Sequence, residues 1–238
     1  MLEVRDLSFR YGDDVAVLSD LSLNIAKGEV VSLLGPSGCG KSTVLRIIAK
    51  LLTANEGDVI WQGAPELAFV FQDPALMPWA TVGENVRLPG RLKGSVDQKS
   101  IEHALDSVGL GAMTQRFPAQ LSGGQRMRAS VARALAANPT VLLMDEPFAA
   151  LDEILRFQMN ELLLDLRAER GLSILFVTHS LYEAAYLSDR VLVMDSGQIN
   201  GEVKPDLNRE NSAQDQRASV AFTSAVSKIS ALMARPGQ

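Results

Sequence analysis

The sequence predicts an α/β fold. Three observations carry that expectation. Short, nearly continuous apolar runs recur of the kind buried in a parallel sheet. Segments with helical periodicity lie between or after them. A glycine-rich stretch, Gly35-Pro-Ser-Gly-Cys-Gly-Lys41-Ser42, joins one such strand to one such helix.

The first stretch alternates apolar and polar residues through Leu2, Val4, Leu7 and Phe9 to a turn at Tyr11-Gly12-Asp13-Asp14. Leu18 to Ile25 repeats the alternation and stops at Lys27-Gly28, so a hairpin or small antiparallel sheet is expected. Val30–Leu34 reads as a buried strand, and Thr43–Leu52 as a helix burying Val44, Leu45, Ile47, Ile48 and Leu51. Further strands are expected at Thr140–Met144, Ser173–Val177 and Arg190–Met194, with helices at Gln125–Ala137, Glu153–Glu169 and Leu181–Leu187. Pro78 to Gln120 lacks strand runs and reads as inserted helices with loops at Pro89–Gly94 and Gly109–Gly111. The expected division is a body over residues 1–201, with the helical subdomain near 78–138, followed by a polar linker and terminal amphipathic helix over 202–238. In that helix Phe222, Val226, Ile229 and Met233 fall at helical spacing, fit for packing on the body of the same chain.

Composition narrows the function. The chain of 238 residues carries 23 basic and 28 acidic side chains, a net charge of −5, which argues against a broadly basic nucleic-acid binder. Its single cysteine, Cys39, excludes an internal disulfide framework and a cysteine-rich zinc site. No apolar stretch approaches the ~18 residues of a membrane span, and charges at Glu3, Arg5 and Asp6 interrupt any leader-like start. The expectation is a soluble, cytosolic chain.

Gly35–Ser42 matches G-x-x-x-x-G-K-[ST] in the strand-to-helix context that this motif requires. Glycines let consecutive amides turn inward around an anion, and the following helix adds its positive end. Lys41 would reach the β- and γ-phosphates, and the Ser42 hydroxyl would ligate Mg²⁺. Cys39 reads as a small residue filling the loop. A second carboxylate-bearing strand is needed beside such a loop, and Val141-Leu-Leu-Met-Asp145-Glu146 supplies it. Asp145 is the candidate metal partner through water, and Glu146 the candidate base for an attacking water.

Leu121-Ser122-Gly123-Gly124-Gln125 opens another helix. Ser122 is either a plain helix cap or part of a second anion site. Beside a complete triphosphate cradle, the second reading implies a two-fold dimer in which each chain grips its partner's nucleotide.

Together these motifs resemble the ATP-binding subunit of an ABC transporter from about Leu2 to Gly201. Gly35–Ser42 resembles Walker A, Leu121–Gln125 the LSGGQ signature, and Val141–Asp145 with Glu146 Walker B and its glutamate. Gln72 in Phe69-Val-Phe-Gln72-Asp matches the Q-loop, Ala150-Leu151-Asp152 the D-loop, and His179 in Phe176-Val-Thr-His179 the switch histidine. The resemblance implies a P-loop NTPase core with an antiparallel β subdomain and an inserted helical subdomain. It implies Mg²⁺-dependent ATP hydrolysis with Glu146, His179, Lys41 and Gln72 as catalytic groups, and Ser42, Gln72 and Asp145 toward the metal. Nucleotide contacts would come from Gly35, Pro36, Ser37, Gly38, Cys39, Gly40, Lys41, Ser42 and Thr43. Ser122, Gly123, Gly124, Gln125 and Asp152 would act across a dimer. Tyr11 stands where the family keeps an adenine-stacking aromatic, and it also reads as a turn residue or core aromatic. His103, outside every motif, reads as surface.

Gln72-Asp-Pro-Ala-Leu-Met-Pro-Trp-Ala-Thr-Val resembles the nitrate/sulfonate/taurine importer branch, although Gly63–Phe69 is shorter than usual and is expected to form a tight hairpin. Implied partners are a second copy, transmembrane permease subunits and, indirectly, a substrate-binding protein, at the cytoplasmic face of the inner membrane. Nucleic acid is not expected. A soluble ABC-type ATPase in nucleic-acid or cofactor-assembly work is the alternative. Leu76–Val82 either fills the junction with the helical insertion or lines a groove for a permease helix.

Overall fold

The computed structural model describes residues 1–12, 15–149 and 151–234, so Asp13, Asp14 and Ala150 of the expected turns lie outside the described residues. The strands β1 (Leu2–Arg10), β2 (Ala16–Ile25) and β4 (Glu56–Trp61) form an antiparallel sheet in the order β2-β1-β4. The main sheet runs β5-β6-β7-β3-β8-β9, comprising β3 (Val30–Leu34), β5 (Leu67–Val70), β6 (Val141–Asp145), β7 (Ser173–Thr178), β8 (Arg190–Asp195) and β9 (Gln198–Val203). From β5 to β8 it is parallel, and β9 closes it antiparallel.

The continuous apolar runs have a simple cause: both faces of this sheet are covered. Successive side chains alternate sides. Leu34, Met144, Phe176 and Val193 face a core shared with the helical layer, and Leu33, Leu143, Val177 and Met194 face the antiparallel sheet and α1 (Lys41–Ile48). Each fully buried side chain contributes about 1.5–3 kcal/mol. The helical layer contains α2 (Val82–Leu92), α3 (Gln98–Ser107), α4 (Gly123–Leu135), α5 (Glu153–Arg170) and α6 (Leu181–Leu187). After α7 (Ala213–Ala218), α8 (Val220–Met233) buries Phe222, Ala225 and Ile229 in that same core.

Three expectations are corrected. The segment 63–69 is no hairpin: β4 and β5 belong to different sheets, and the chain between them crosses from one to the other. The first helix stops at Ile48, because Lys50 turns left-handed at φ 59° and leaves Leu51 56% exposed instead of buried. Pro89 lies inside α2 and does not open a loop. It forfeits one donor near the helix end, while Lys93 N–H still reaches Pro89 O at 3.0 Å.

Strand order positions the site. Parallel strands leave their ligand-binding ends on one edge. Leu34 pairs with Thr178, Asp145 with Val177 and Val70 with Met144, so the chains leaving β5, β6, β7 and β3 emerge side by side. Those chains carry Gln72, Glu146, His179 and the glycine-rich loop in that spatial order.

Candidate active site

The loop after β3 needs its glycines for different reasons. A β-carbon on Gly35 would lie 2.2 Å from Met194 O of β8, so backbone packs directly on backbone. Gly38 and Gly40 take φ of 84° and 102°, the left-handed region open to glycine, and Gly40 caps α1. Amides at the start of α1 have no intrahelical acceptor and face the loop. The buried Lys41 ammonium donates to Gly35 O and Pro36 O, each at 2.8 Å, inside the curve of the loop. Cys39 is buried beneath it, and burial pushes its thiol above the ordinary range, against the attraction of Lys41.

Ser42 Oγ donates to Asp145 Oδ1 at 2.7 Å, joining the helix start to the end of β6. Asp145 is almost fully buried, and desolvation raises its pKa, while the Ser42 bond and Arg46 work in the opposite direction. These hard oxygen donors suit Mg²⁺, which takes one or two protein ligands and fills its octahedron with water and phosphate. Among the described residues no group of three or more His, Cys, Asp or Glu side chains is placed to cage a metal ion.

Glu146 follows at φ 44°, a conformation rare for a side-chain-bearing residue and characteristic of sites held by their surroundings. Its N–H donates to Val177 O at 3.0 Å, which fixes it against β7. Its Oε2 lies 3.1 Å from His179 Nδ1. The glutamate is mostly enclosed and the imidazole half exposed, so the pair opens toward solvent at the sheet edge.

Gln72 is exposed just beyond β5. The turn after it is clamped to α4, where Arg133 donates to Pro74 O and Ala75 O at 2.8 Å each. Tyr11 is also exposed, edge-on to Phe9 with ring centroids 4.7 Å apart, so it is no core aromatic. Thr43 is buried in α1.

The Ser-Gly-Gly segment stands apart. Ser122 caps α4, accepting from Gln125 N–H at 3.2 Å, while Gln125 Oε1 accepts from Ser122 N–H at 2.9 Å. The capping reading is thus realised, yet the Ser122 O–H remains able to donate elsewhere. Ser122 and Gly123 are exposed, whereas Gly124 is buried beneath Leu155 of α5 and Leu151 of the turn before it. Among the described residues no hydrogen bond links this segment to residues 35–43. Asp152 caps α5, its Oδ1 accepting from Leu155 N–H at 2.9 Å. His103 lies on the surface, 3.4 Å from Glu169.

Sequence reading missed the residues that hold the site from behind. Asn85, fully buried, donates to Met77 O, Ala80 O and Thr81 O and accepts from Met77 N–H. Glu183 and Arg156 lie beneath His179. Most of their partners lie only four to eight residues away, but no motif spacing marks them, and the Arg156–Glu183 pairing exists only in the folded chain.

The chain matches the ABC transporter family over residues 18–149. It is 40% identical over 223 residues to the aliphatic sulfonates import ATP-binding protein SsuB 2 of Burkholderia cenocepacia strain HI2424, covering 90% of this chain and 82% of that protein. Against the spermidine/putrescine import ATP-binding protein PotA of Nitrosomonas europaea it is 43% identical over 219 residues, covering 87% of this chain and 60% of that protein. The dimeric post-hydrolysis structure of the ATP-binding cassette MJ0796 with ADP and phosphate superposes at a TM-score of 0.78, with 33% identity, over 86% of this chain and 98% of that one. Matched along nine-tenths of its length by one member, the chain belongs to the ABC transporter family, as one of its ATP-hydrolysing, ATP-binding subunits.

Proposed function

We propose that the chain works as a pair of copies on the cytoplasmic face of the cell membrane. There it drives permease subunits that import an aliphatic sulfonate or a similar small anion delivered by a substrate-binding protein. The observation that carries the chemistry is the Glu146–His179 contact at 3.1 Å beside the Ser42–Asp145 contact at 2.7 Å on one sheet edge. The solute reading rests on likeness to the sulfonate import subunit, of whose length the chain spans 82%, against 60% for the polyamine one. Import subunits as relatives disfavour a soluble ATPase of nucleic-acid or cofactor-assembly work. No helix among the described residues is long and apolar enough to cross a membrane; in this reading the chain is held at the membrane by its permease partners.

In this reading the amides of Gly35, Pro36, Ser37, Gly38, Cys39 and Gly40, with the start of α1 at Lys41–Thr43, cradle the phosphates. Lys41 exchanges its two carbonyl contacts for the β- and γ-phosphates. Ser42, Asp145 and Gln72 would hold magnesium, which when bound neutralises phosphate charge. Glu146 takes a proton from the attacking water, and His179 holds the water and γ-phosphate in line. Tyr11 offers its exposed face to adenine. Ser122, Gly123, Gly124, Gln125 and Asp152 complete the site from the partner copy, Gly124 through its backbone alone.

Deleting the gene and supplying an alkanesulfonate as the only sulfur source tests the solute. Growth should fail on the sulfonate and persist on sulfate. Undiminished growth on the sulfonate would discard that solute and leave the ATPase reading untouched.

A further inference from the structure

The residues on both sides of His179 are held by Glu183, one through its carboxylate and one through its N–H, and the roles above give that residue no part. Glu183, in the first turn of α6, is buried. Its Oε2 accepts a hydrogen bond from Thr178 Oγ1, on the residue before His179. Thr178 Oγ1 accepts in turn from the N–H of Ser180, the residue after, at 3.0 Å. Ser180 Oγ accepts from Glu183 N–H at 3.3 Å. These contacts close a ring around the backbone that carries the imidazole.

The second carboxylate oxygen reaches elsewhere. Glu183 Oε1 lies 3.2 Å from Arg156 Nε, a pairing held by charge, since that N–H has no aligned acceptor. Arg156 Nη2 donates to Leu151 O at 3.1 Å, on the residue before Asp152. One continuous path therefore runs from the turn at Leu151–Asp152 through Arg156, Glu183 and Thr178 to His179, and from His179 to Glu146. Burial raises the Glu183 pKa against the Thr178 bond and the Arg156 charge. A buried ion pair is a weak source of stability, since apolar side chains of similar volume often serve as well. Its geometry here points instead to a task.

We infer that Glu183, with Thr178 and Arg156, is a positioning group for hydrolysis: it sets the His179 backbone so that the imidazole meets Glu146, and it transmits displacement of the Leu151–Asp152 turn to that histidine. This rests on the roles of Glu146 and His179 proposed above. Asp152 is placed there toward a partner copy, so docking of the partner would reach the hydrolytic pair through this path.

The test uses the full chain, with ATPase kinetics and affinity for a non-hydrolysable ATP analogue. Thr178→Val keeps shape and removes the hydroxyl. The expected result is a fall in kcat of about tenfold or more, with analogue affinity and KM within about twofold, and recovery of most of the loss by Thr178→Ser. Arg156→Lys keeps the charge toward Glu183 and removes the reach to Leu151. Thr178 and Arg156 make no contact with each other in the described hydrogen bonds, so coupling of about threefold or more in kcat between Thr178→Val and Arg156→Lys is the signature of transmission through Glu183. Additive effects overturn the transmission. A loss of analogue affinity in step with kcat, or a Ser variant as poor as the Val variant, overturns the positioning role. Glu146→Gln in the same assay separates the two levels. If it hydrolyses ATP normally the site reading fails; if it is inactive while Thr178→Val runs at the parental kcat, only this inference fails.

Discussion

Gly124 lies directly beneath Leu155: a β-carbon at position 124 would sit 2.8 Å from Leu155 Cδ1. The contact joins the start of α4 to the first turn of α5 within one chain, so this glycine answers to helix packing as well as to any nucleotide. Its neighbour Gly123 is open, with only Arg126 Nη2 as near as 3.9 Å to such a carbon.

The two glycines therefore separate fold from partner contact. Gly124→Asp should bury a carboxylate among Leu151 and Leu155 and destabilise the isolated chain by on the order of 2 kcal/mol or more. Gly123→Asp should leave stability within about 0.5 kcal/mol while abolishing ATP-driven pairing of two copies. Denaturant unfolding and sizing with ATP and Mg²⁺ read the two effects. Normal pairing by Gly123→Asp would remove this segment from the partner's nucleotide.

Glu146→Gln keeps the size and hydrogen-bonding reach of the side chain at φ 44° but removes the proton-accepting carboxylate. Turnover should fall by a factor on the order of 10² or more, with ATP still bound and the paired form accumulating. Single-turnover hydrolysis and sizing check it. A variant that turns over ATP at the parental rate would exclude Glu146 as the base.

How far the sequence was legible follows from burial. β3, β6, β7 and β8 are covered on both faces, and that alone makes them apolar runs visible without a structure. β4 opens with three exposed residues, β5 has only four, and β9 alternates with a solvent face, so none stood out. Lys41, Ser42, Asp145, Glu146 and His179 were readable because motif spacing fixes their chemistry locally. Asn85, Arg156 and Glu183 were not: Asn85 and Glu183 bond neighbouring turns that no motif spacing marks, and Arg156 meets Glu183 only once two helices pack. Gly124 shows the intermediate case, a motif glycine whose packing partner lies in another helix.

Cys39 gives a pH-dependent test of loop closure. Burial raises its thiol pKa above the ordinary value, with Lys41 pulling the other way, so less thiolate is present at any given pH than on a free cysteine. Alkylation by iodoacetamide should thus be slow in the folded chain at pH 8, about tenfold or more below the unfolded chain. Its rate should keep climbing above the pH at which unfolded thiol has levelled. A native rate equal to the unfolded one would mean that the loop does not enclose the sulfur.

The last prediction concerns the segment between Gln72 and α2, whose side chains divide into two sets. Val82 and Ala80 are buried and Leu76 packs on the core, whereas Trp79 is 76% exposed. Asn85 holds the backbone of this turn with donors to three carbonyls between 3.0 and 3.2 Å, so the indole is presented by a rigid support. An exposed tryptophan on a fixed turn suits an interface anchor, and Met77 beside it adapts to a partner's shape. Trp79→Ala should leave the isolated chain's stability within about 0.5 kcal/mol and its ATP affinity unchanged, while weakening permease association and transport. Asn85→Ala should instead destabilise the isolated chain by about 1–3 kcal/mol, because buried carbonyls lose their donor. Thermal unfolding of both variants, followed by co-purification with the permease subunits, distinguishes the support from the anchor. Undiminished association of the Trp79 variant would rule out docking at this turn, and a large loss of its stability would assign the indole to the core.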